Sequence, residues 1–282
     1  MQSEHCIIPR LLTLCVQQVD FSRLPLGSDM EIASELLEIG MVHRLHVWRH
    51  YGYITFPGGH HESWIGRIRE MKLVTCIDAE TLCRVFESAA KLEIFSLIVP
   101  KAHGLVHPPP AAGRDLNYAL VKVAGTLKVL ELRTCQNRWF LDQLGPSHLL
   151  HCLPLLEKLE TLTAEVSLFF RIQRNTLNAR GFVLFPPNLI SLHAAEVWLS
   201  PEMFTRRELG MRAFSKIIVA YLHFGLLPNL KHIRYIPDVV ESLLDPDELY
   251  ALKQMFDATR VSFSSKADSL PRQFFYPPER QI

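Results

Sequence analysis

Residues 127–135 read LKVLELRTC, and their spacing decides how the rest of the chain is read. Leu127, Leu130 and Leu132 form the pattern L-x-x-L-x-L, with Cys135 three residues further on. The closing L-x-L pair suits a β-strand, in which alternate side chains share a face. Standing alone, the stretch is one buried strand. Recurring at intervals, it is one rung of a repeat array, and an array brings its own expectations about function.

The frame recurs. Allowing other apolar residues, it fits Leu11/Leu14/Val16, Val42/Leu45/Val47, Ile68/Met71/Leu73 and Leu92/Phe95/Leu97. It fits again at Leu127/Leu130/Leu132, Leu159/Leu162/Ala164, Leu189/Leu192/Ala194 and Leu230/Ile233/Tyr235, and weakly at Ala258/Val261/Phe263. The starts are separated by 24–41 residues. In so apolar a chain the bare pattern arises by chance roughly once every ten to twenty residues, so three further features carry the weight.

The ninth position of the frame is Cys76 and Cys135 in two cases, and Ser167 and Asp238 in two others. A small polar or thiol group there can satisfy the backbone of the turn that leaves each strand. Several frames are also introduced alike, as in PRLLTL, AAKLEIFSL, AGTLKVLEL, LEKLETL, PPNLISL and LPNLKHI. Finally, the intervals contain helix-like segments. SDMEIASELLEIG runs from an N-cap candidate, Ser28, to Gly40, and DAETLCRVFESAAK sets Leu82, Val85, Phe86 and Ala89 on one face after Asp78. DLNYALVKVAGT aligns Leu116, Ala119, Leu120 and Val123 and ends near Gly125. PEMFTRRELGMRAFSKIIVAYLHFGLLP and DPDELYALKQMFDA are two more, the latter with acidic residues in its first turn.

A strand, a turn, a helix and a return predict an α/β solenoid: parallel strands in one curved sheet on the concave face, irregular helices on the convex face. The array is expected to span residues 1–265. In the closing segment, 266–282, Phe274, Phe275 and Tyr276 are expected to cap its open end.

On the frames LKVLELRTC, KLETLTAEV, PPNLISLHA and LPNLKHIRY, the chain resembles leucine-rich repeats. The long irregular intervals resemble ribonuclease-inhibitor-like arrays, particularly those of fungal F-box proteins. The resemblance covers about residues 9–265 and implies a protein-binding role, in its sharper form the substrate-recognition part of a ubiquitin ligase. F-box proteins place an adaptor-binding module of about forty residues before the repeats. Here the first frame begins at Leu11, so the expectation is either an array without that module or a fragment of a longer chain.

Composition narrows the partners. Lys and Arg number 30 against 29 Asp and Glu, a net charge of +1 that favours neither nucleic acid nor an anionic membrane. Hydrophobic residues make up 48% of the chain, which is typical of a folded protein. Six cysteines without C-x-x-C spacing suit free thiols in a reducing compartment better than a disulfide scaffold. The start MQSEHCIIPRLLTLCV lacks the basic n-region and clean apolar core of a signal peptide. AFSKIIVAYLHFGLL carries Lys216 and His223 and is too short to span a bilayer. The expectation is an intracellular protein, in cytoplasm or nucleus.

The densest polar and aromatic stretch is RHYGYITFPGGHHESWIGR, residues 49–67. His60, His61 and Glu62 could suggest a metal site or an enzyme, and that is the alternative reading. Ile65 stands where H-E-x-x-H needs its second histidine, and adjacent histidines on a loop do not converge on a metal, so no metal or cofactor is expected. Trp48, Tyr51, Tyr53, Phe56 and Trp64 either anchor a partner or cover the neighbouring rung. AHGLVHPPPAAGR, 102–114, reads as a stiff excursion around a helix, or as a polyproline II stretch shown to a partner. Asp245, Asp247 and Glu248 read as a helix start, and none of the phosphate-binding, dinucleotide-binding or nucleophile-elbow glycine motifs is present.

A solenoid binds on its inner face, which displays the residues between the inward leucines. The residues expected to bind a partner protein are Arg44, His46 and Trp48, then Glu70 and Lys72, then Ile94 and Ile98, then Val129, Glu131 and Arg133. The row is mixed in sign and apolar near its middle, which suits a protein or peptide better than a phosphate backbone.

Overall fold

The structure is a computed structural model that describes residues 13–18, 42–53, 62–99, 113–133, 149–169, 172–173, 176–177, 184–195, 204–236 and 246–265. Nine strands form one all-parallel sheet: β1 (Thr13–Gln18), β2 (Arg44–Tyr53), β3 (Glu70–Cys76), β4 (Ile94–Ile98), β5 (Val129–Arg133), β6 (Thr161–Glu165), β9 (Ser191–Ala195), β10 (His232–Ile236) and β11 (Ser262–Ser265). They lie side by side in chain order. The remaining two, β7 (Ile172–Gln173) and β8 (Thr176–Leu177), make a separate antiparallel pair that the sequence pattern did not reveal.

The register is uniform. Leu14, Leu45, Met71, Phe95, Leu130, Leu162, Leu192, Ile233 and Phe263 are mutual partners from one strand to the next. Two residues on, Val47, Leu73, Leu97, Leu132, Ala164, Ala194 and Tyr235 form a second buried row, and all belong to one hydrophobic core. The leading apolar residue of each frame from Val42 to Leu230 is also buried. With three anchors per rung inside the core, a slip of one residue would bring a buried row to the surface. For the ninth frame, sequence spacing puts Phe263 third, whereas the structure pairs it with Ile233, in the second place. The turn of residues 258–260, held by Thr259 Oγ1 donating to Phe256 O and accepting from Val261 N, makes Val261 the buried lead-in.

Backbone hydrogen bonds repeat with the same regularity. The carbonyls of His43, Arg69, Glu93, Lys128, Glu160 and Ile190, each just ahead of a strand, all accept two consecutive N–H groups from the next rung at 2.8–3.1 Å. The polar backbone of each turn is thereby satisfied by its neighbour, as a stack requires.

Four α-helices lie in the described intervals: α1 (Ala79–Ser88), α2 (Gly113–Lys122), α3 (Phe204–His223) and α4 (Pro246–Asp257). Asp78 caps α1 as expected, its Oδ1 accepting from Thr81 N at 2.9 Å and its Oδ2 from Thr81 Oγ1 at 2.7 Å. Leu82, Val85 and Phe86 of α1 are buried, and Phe86 meets Phe95 of β4 edge to face at 4.7 Å. Leu116, Ala119 and Leu120 anchor α2 to the same core. Phe169 and Phe185 join the same core and pack against each other, and Phe169 also stacks on Phe214 of α3. In α4, Phe256 stacks on Phe263 at 5.2 Å. All four helices therefore cover one face of the sheet.

The 49–67 stretch is not simply a loop. Residues 49–53 continue β2, and Glu62–Arg67 form a 3-10 helix whose Trp64 and Ile65 are 2% and 0% exposed. Trp64 thus fills the rung and is no partner anchor. His60, His61 and Phe56 lie outside the described residues, as do the expected helix 28–40, the Pro-rich residues 102–112, and the tail 266–282. Cys135 and Asp238 lie outside them too, along with the side chains of Cys76 and Ser167.

Candidate functional site

The face of the sheet turned away from the helices carries the odd-numbered places of each strand. Its first row is Thr13, Arg44, Glu70, Ile94, Val129, Thr161, Ser191, His232 and Ser262. Its next row passes through Cys15, His46, Lys72, Ser96, Glu131, Thr163, His193 and Arg234. A third, Gln17, Trp48, Val74, Ile98 and Arg133, lies towards the strand ends. All ten residues expected from sequence to form a binding surface fall on this face, because parallel in-phase pairing carries one frame's alternation through the sheet.

Exposure divides them. Arg44 and Trp48 are exposed, Trp48 at 38%, and His46, Glu70, Lys72, Ile94, Val129 and Glu131 are partly exposed. Ile98 and Arg133 are not. They are 6% and 7% exposed, so the expectation that Ile98 and Arg133 offer a binding surface is corrected. Strands stand about 4.8 Å apart, and neighbouring side chains in that last row shield one another.

The polar groups are paired within and across strands. Glu70 is the centre of one cluster, its Oε1 2.7 Å from Lys72 Nζ and 3.0 Å from His46 Nε2, its Oε2 3.4 Å from Arg44 Nε. Burial pushes the Glu70 carboxyl up, but the hydrogen bonds and charges of Lys72 and His46 outweigh that and hold it below its ordinary value. The carboxylate stays ionised and can only accept. On the far side of His46, Nδ1 lies 4.0 Å from Cys15 Sγ. A second cluster centres on Glu131, which accepts from Ser96 Oγ at 2.8 Å and lies 2.9 Å from Arg133 Nε. Further along, Thr163 Oγ1 pairs with His193 Nδ1 at 3.0 Å and His232 Nδ1 with Ser262 Oγ at 2.8 Å.

The result is a surface whose polar groups hold one another in place, with apolar Ile94 and Val129 between the two carboxylates. No family model and no curated protein matches this chain. The functional reading therefore stands on the geometry. Among the described residues no three His, Cys, Asp or Glu side chains converge on a point where a metal could sit, and no helix is long and apolar enough to cross a membrane.

Two features escaped the sequence. The contact between Cys15 and His46 spans 31 residues, and only the strand register shows it. The second is a line of asparagines at the entry to the rungs. Asn188 Nδ2 donates to Glu157 O at 2.7 Å, and Asn229 Nδ2 donates to Pro187 O at 3.1 Å. The repeated triplet PNL, at 187–189 and 228–230, was the available signal. Asn117 works differently, bridging Leu149 O and Cys152 N to tie α2 to the following interval.

Proposed function

We propose that the chain is a leucine-rich-repeat solenoid acting as a non-enzymatic interaction scaffold, with the face opposite the helices as its concave recognition surface for a partner protein. The observation that carries this reading is the in-phase row of paired polar side chains flanked by exposed Trp48 and Arg44. Rigid, pre-paired side chains lose little entropy on binding, and Trp and Arg are over-represented among residues that dominate interfaces. The sharper form, the substrate-recognition part of a ubiquitin ligase in cytoplasm or nucleus, rests on the resemblance to F-box repeat regions alone.

The test uses the intact chain and a partner recovered by affinity capture and mass spectrometry. Trp48→Ala should weaken binding more than about tenfold, since truncating such an anchor costs at least about 2 kcal/mol. The melting temperature should stay nearly unchanged, while Arg260→Ala, in the exposed turn before β11, should bind normally. Normal binding by Trp48→Ala, together with loss of binding on deletion of residues 54–61, would place recognition elsewhere.

A further inference from the structure

Cys15, His46 and Glu70 stand on three successive strands at the open face. Cys15 Sγ lies 4.0 Å from His46 Nδ1, and the opposite ring nitrogen, Nε2, lies 3.0 Å from Glu70 Oε1. The contacts use opposite sides of one imidazole, so the groups cannot enclose a metal; they form a relay. An ionised Glu70 can only accept, so Nε2 carries the hydrogen, and in its neutral form the ring turns the Nδ1 lone pair towards the thiol. Arg44 and Lys72 flank the same carboxylate. The Cys15 thiol is exposed, whereas Cys152 is buried and its thiol is pushed up to about 12 by burial.

We propose that Cys15 is a reactive thiol that adds to soft carbon electrophiles of the α,β-unsaturated carbonyl class, with His46 as its base and Glu70 as the positioning residue behind it. The Sγ–H bond breaks and its proton passes to Nδ1. The freed sulfur pair forms an S–C bond to the β-carbon, and the π pair of the C=C bond moves to the α-carbon as an enolate. The enolate then takes the proton from Nδ1, so the thiol hydrogen ends on the α-carbon and the imidazole returns to neutral. No oxidant or reductant is consumed. A 4.0 Å separation is loose for proton transfer, as such pairs commonly are before a reactant is bound. This inference does not depend on the scaffold reading.

The experiment treats the intact chain at neutral pH with N-ethylmaleimide and follows each cysteine by peptide mass spectrometry. A synthetic peptide of residues 10–20 is the reference. A base held beside the sulfur takes its proton as the S–C bond forms, so Cys15 should react about tenfold faster than the peptide. His46→Ala should return it to the peptide rate while Cys152 stays unlabelled, showing an intact fold. If Cys152 becomes labelled in that variant, His46→Gln, which keeps a polar side chain but no base, is read by the same criterion. Glu70→Gln should slow Cys15 and Glu70→Asp should recover part of the rate. The proposal is overturned if Cys15 reacts no faster than the peptide. It is equally overturned if a folded His46 variant keeps the wild-type rate.

Discussion

Leu130 and Glu131 are adjacent in β5 and differ in everything that stability depends on, so their alanine variants test the register directly. Leu130 is 0% exposed, sits in phase between Phe95 and Leu162, and lies in the hydrophobic core. Removing its isobutyl group loses the burial of the side chain and leaves a cavity that stacked neighbours can only partly fill. The cost is about 2–5 kcal/mol, and the upper half of that range fits a site with buried Phe95 on one hand and buried Leu162 on the other. Glu131 faces the other way, with its side chain 26% exposed. A solvent-facing charge would cost about 0.5 kcal/mol or less on truncation. Glu131, however, accepts from Ser96 Oγ and pairs with Arg133, whose side chain is only 9% exposed. Losing a hydrogen bond to a charged group raises the expected cost of Glu131→Ala to about 1.5 kcal/mol, still well below that of Leu130→Ala. Urea denaturation followed by far-UV circular dichroism measures both, and the Leu130→Ala midpoint should be clearly the lower. Equal losses, or a larger loss for Glu131→Ala, would mean the two residues occupy opposite faces from those described, since a slip of one residue exchanges them.

Asn117→Ala should destabilise by about 1–3 kcal/mol, because it leaves the Leu149 carbonyl and the Cys152 N–H without a side-chain partner in a buried stretch; the more exposed Asn188→Ala should cost less, and a reversed order in urea melts would refute the bridging role. Glu70 is held below its ordinary value of 4.5, so its pairing contributes stability above that pH and loses it as pH falls through the lower folded value. The urea-midpoint difference between the wild type and Glu70→Gln should therefore be constant near neutrality and shrink in acid. A difference that grew on acidification would contradict the assigned sign.

Much of the fold was legible because three apolar anchors per rung over-determine the strand. Eight frames stand in the expected phase, and Asp78 with Leu82, Val85 and Phe86 was readable as a capped amphipathic helix. The ninth frame slipped because Val261 is apolar and stands two places before Phe263, so spacing takes it for the second anchor. Residues 49–67 keep two readings in the sequence for another reason. Their composition is that of a loop, but whether Trp64 points outward depends on a 3-10 turn that pattern counting does not detect. The candidate surface was legible as a list of positions. Its pairing was not. Glu70 with His46 and Arg44, Ser96 with Glu131, and Thr163 with His193 join residues 24–35 apart, and which pairs meet depends on register between strands. The burial of Arg133 belongs to the same class, since nothing within RTC announces that its neighbours will shield it.

The most direct test of the recognition surface is site-specific photo-crosslinking in cells. A photoreactive phenylalanine analogue replaces Trp48, Ile94 or His193 on the open face, and Tyr118 or Tyr250, both exposed on helices, on the other. The scaffold reading predicts that the same partner protein is captured from the open-face positions and not from the helical ones. Capture from Tyr118 or Tyr250 with none from Trp48, Ile94 and His193 would contradict it.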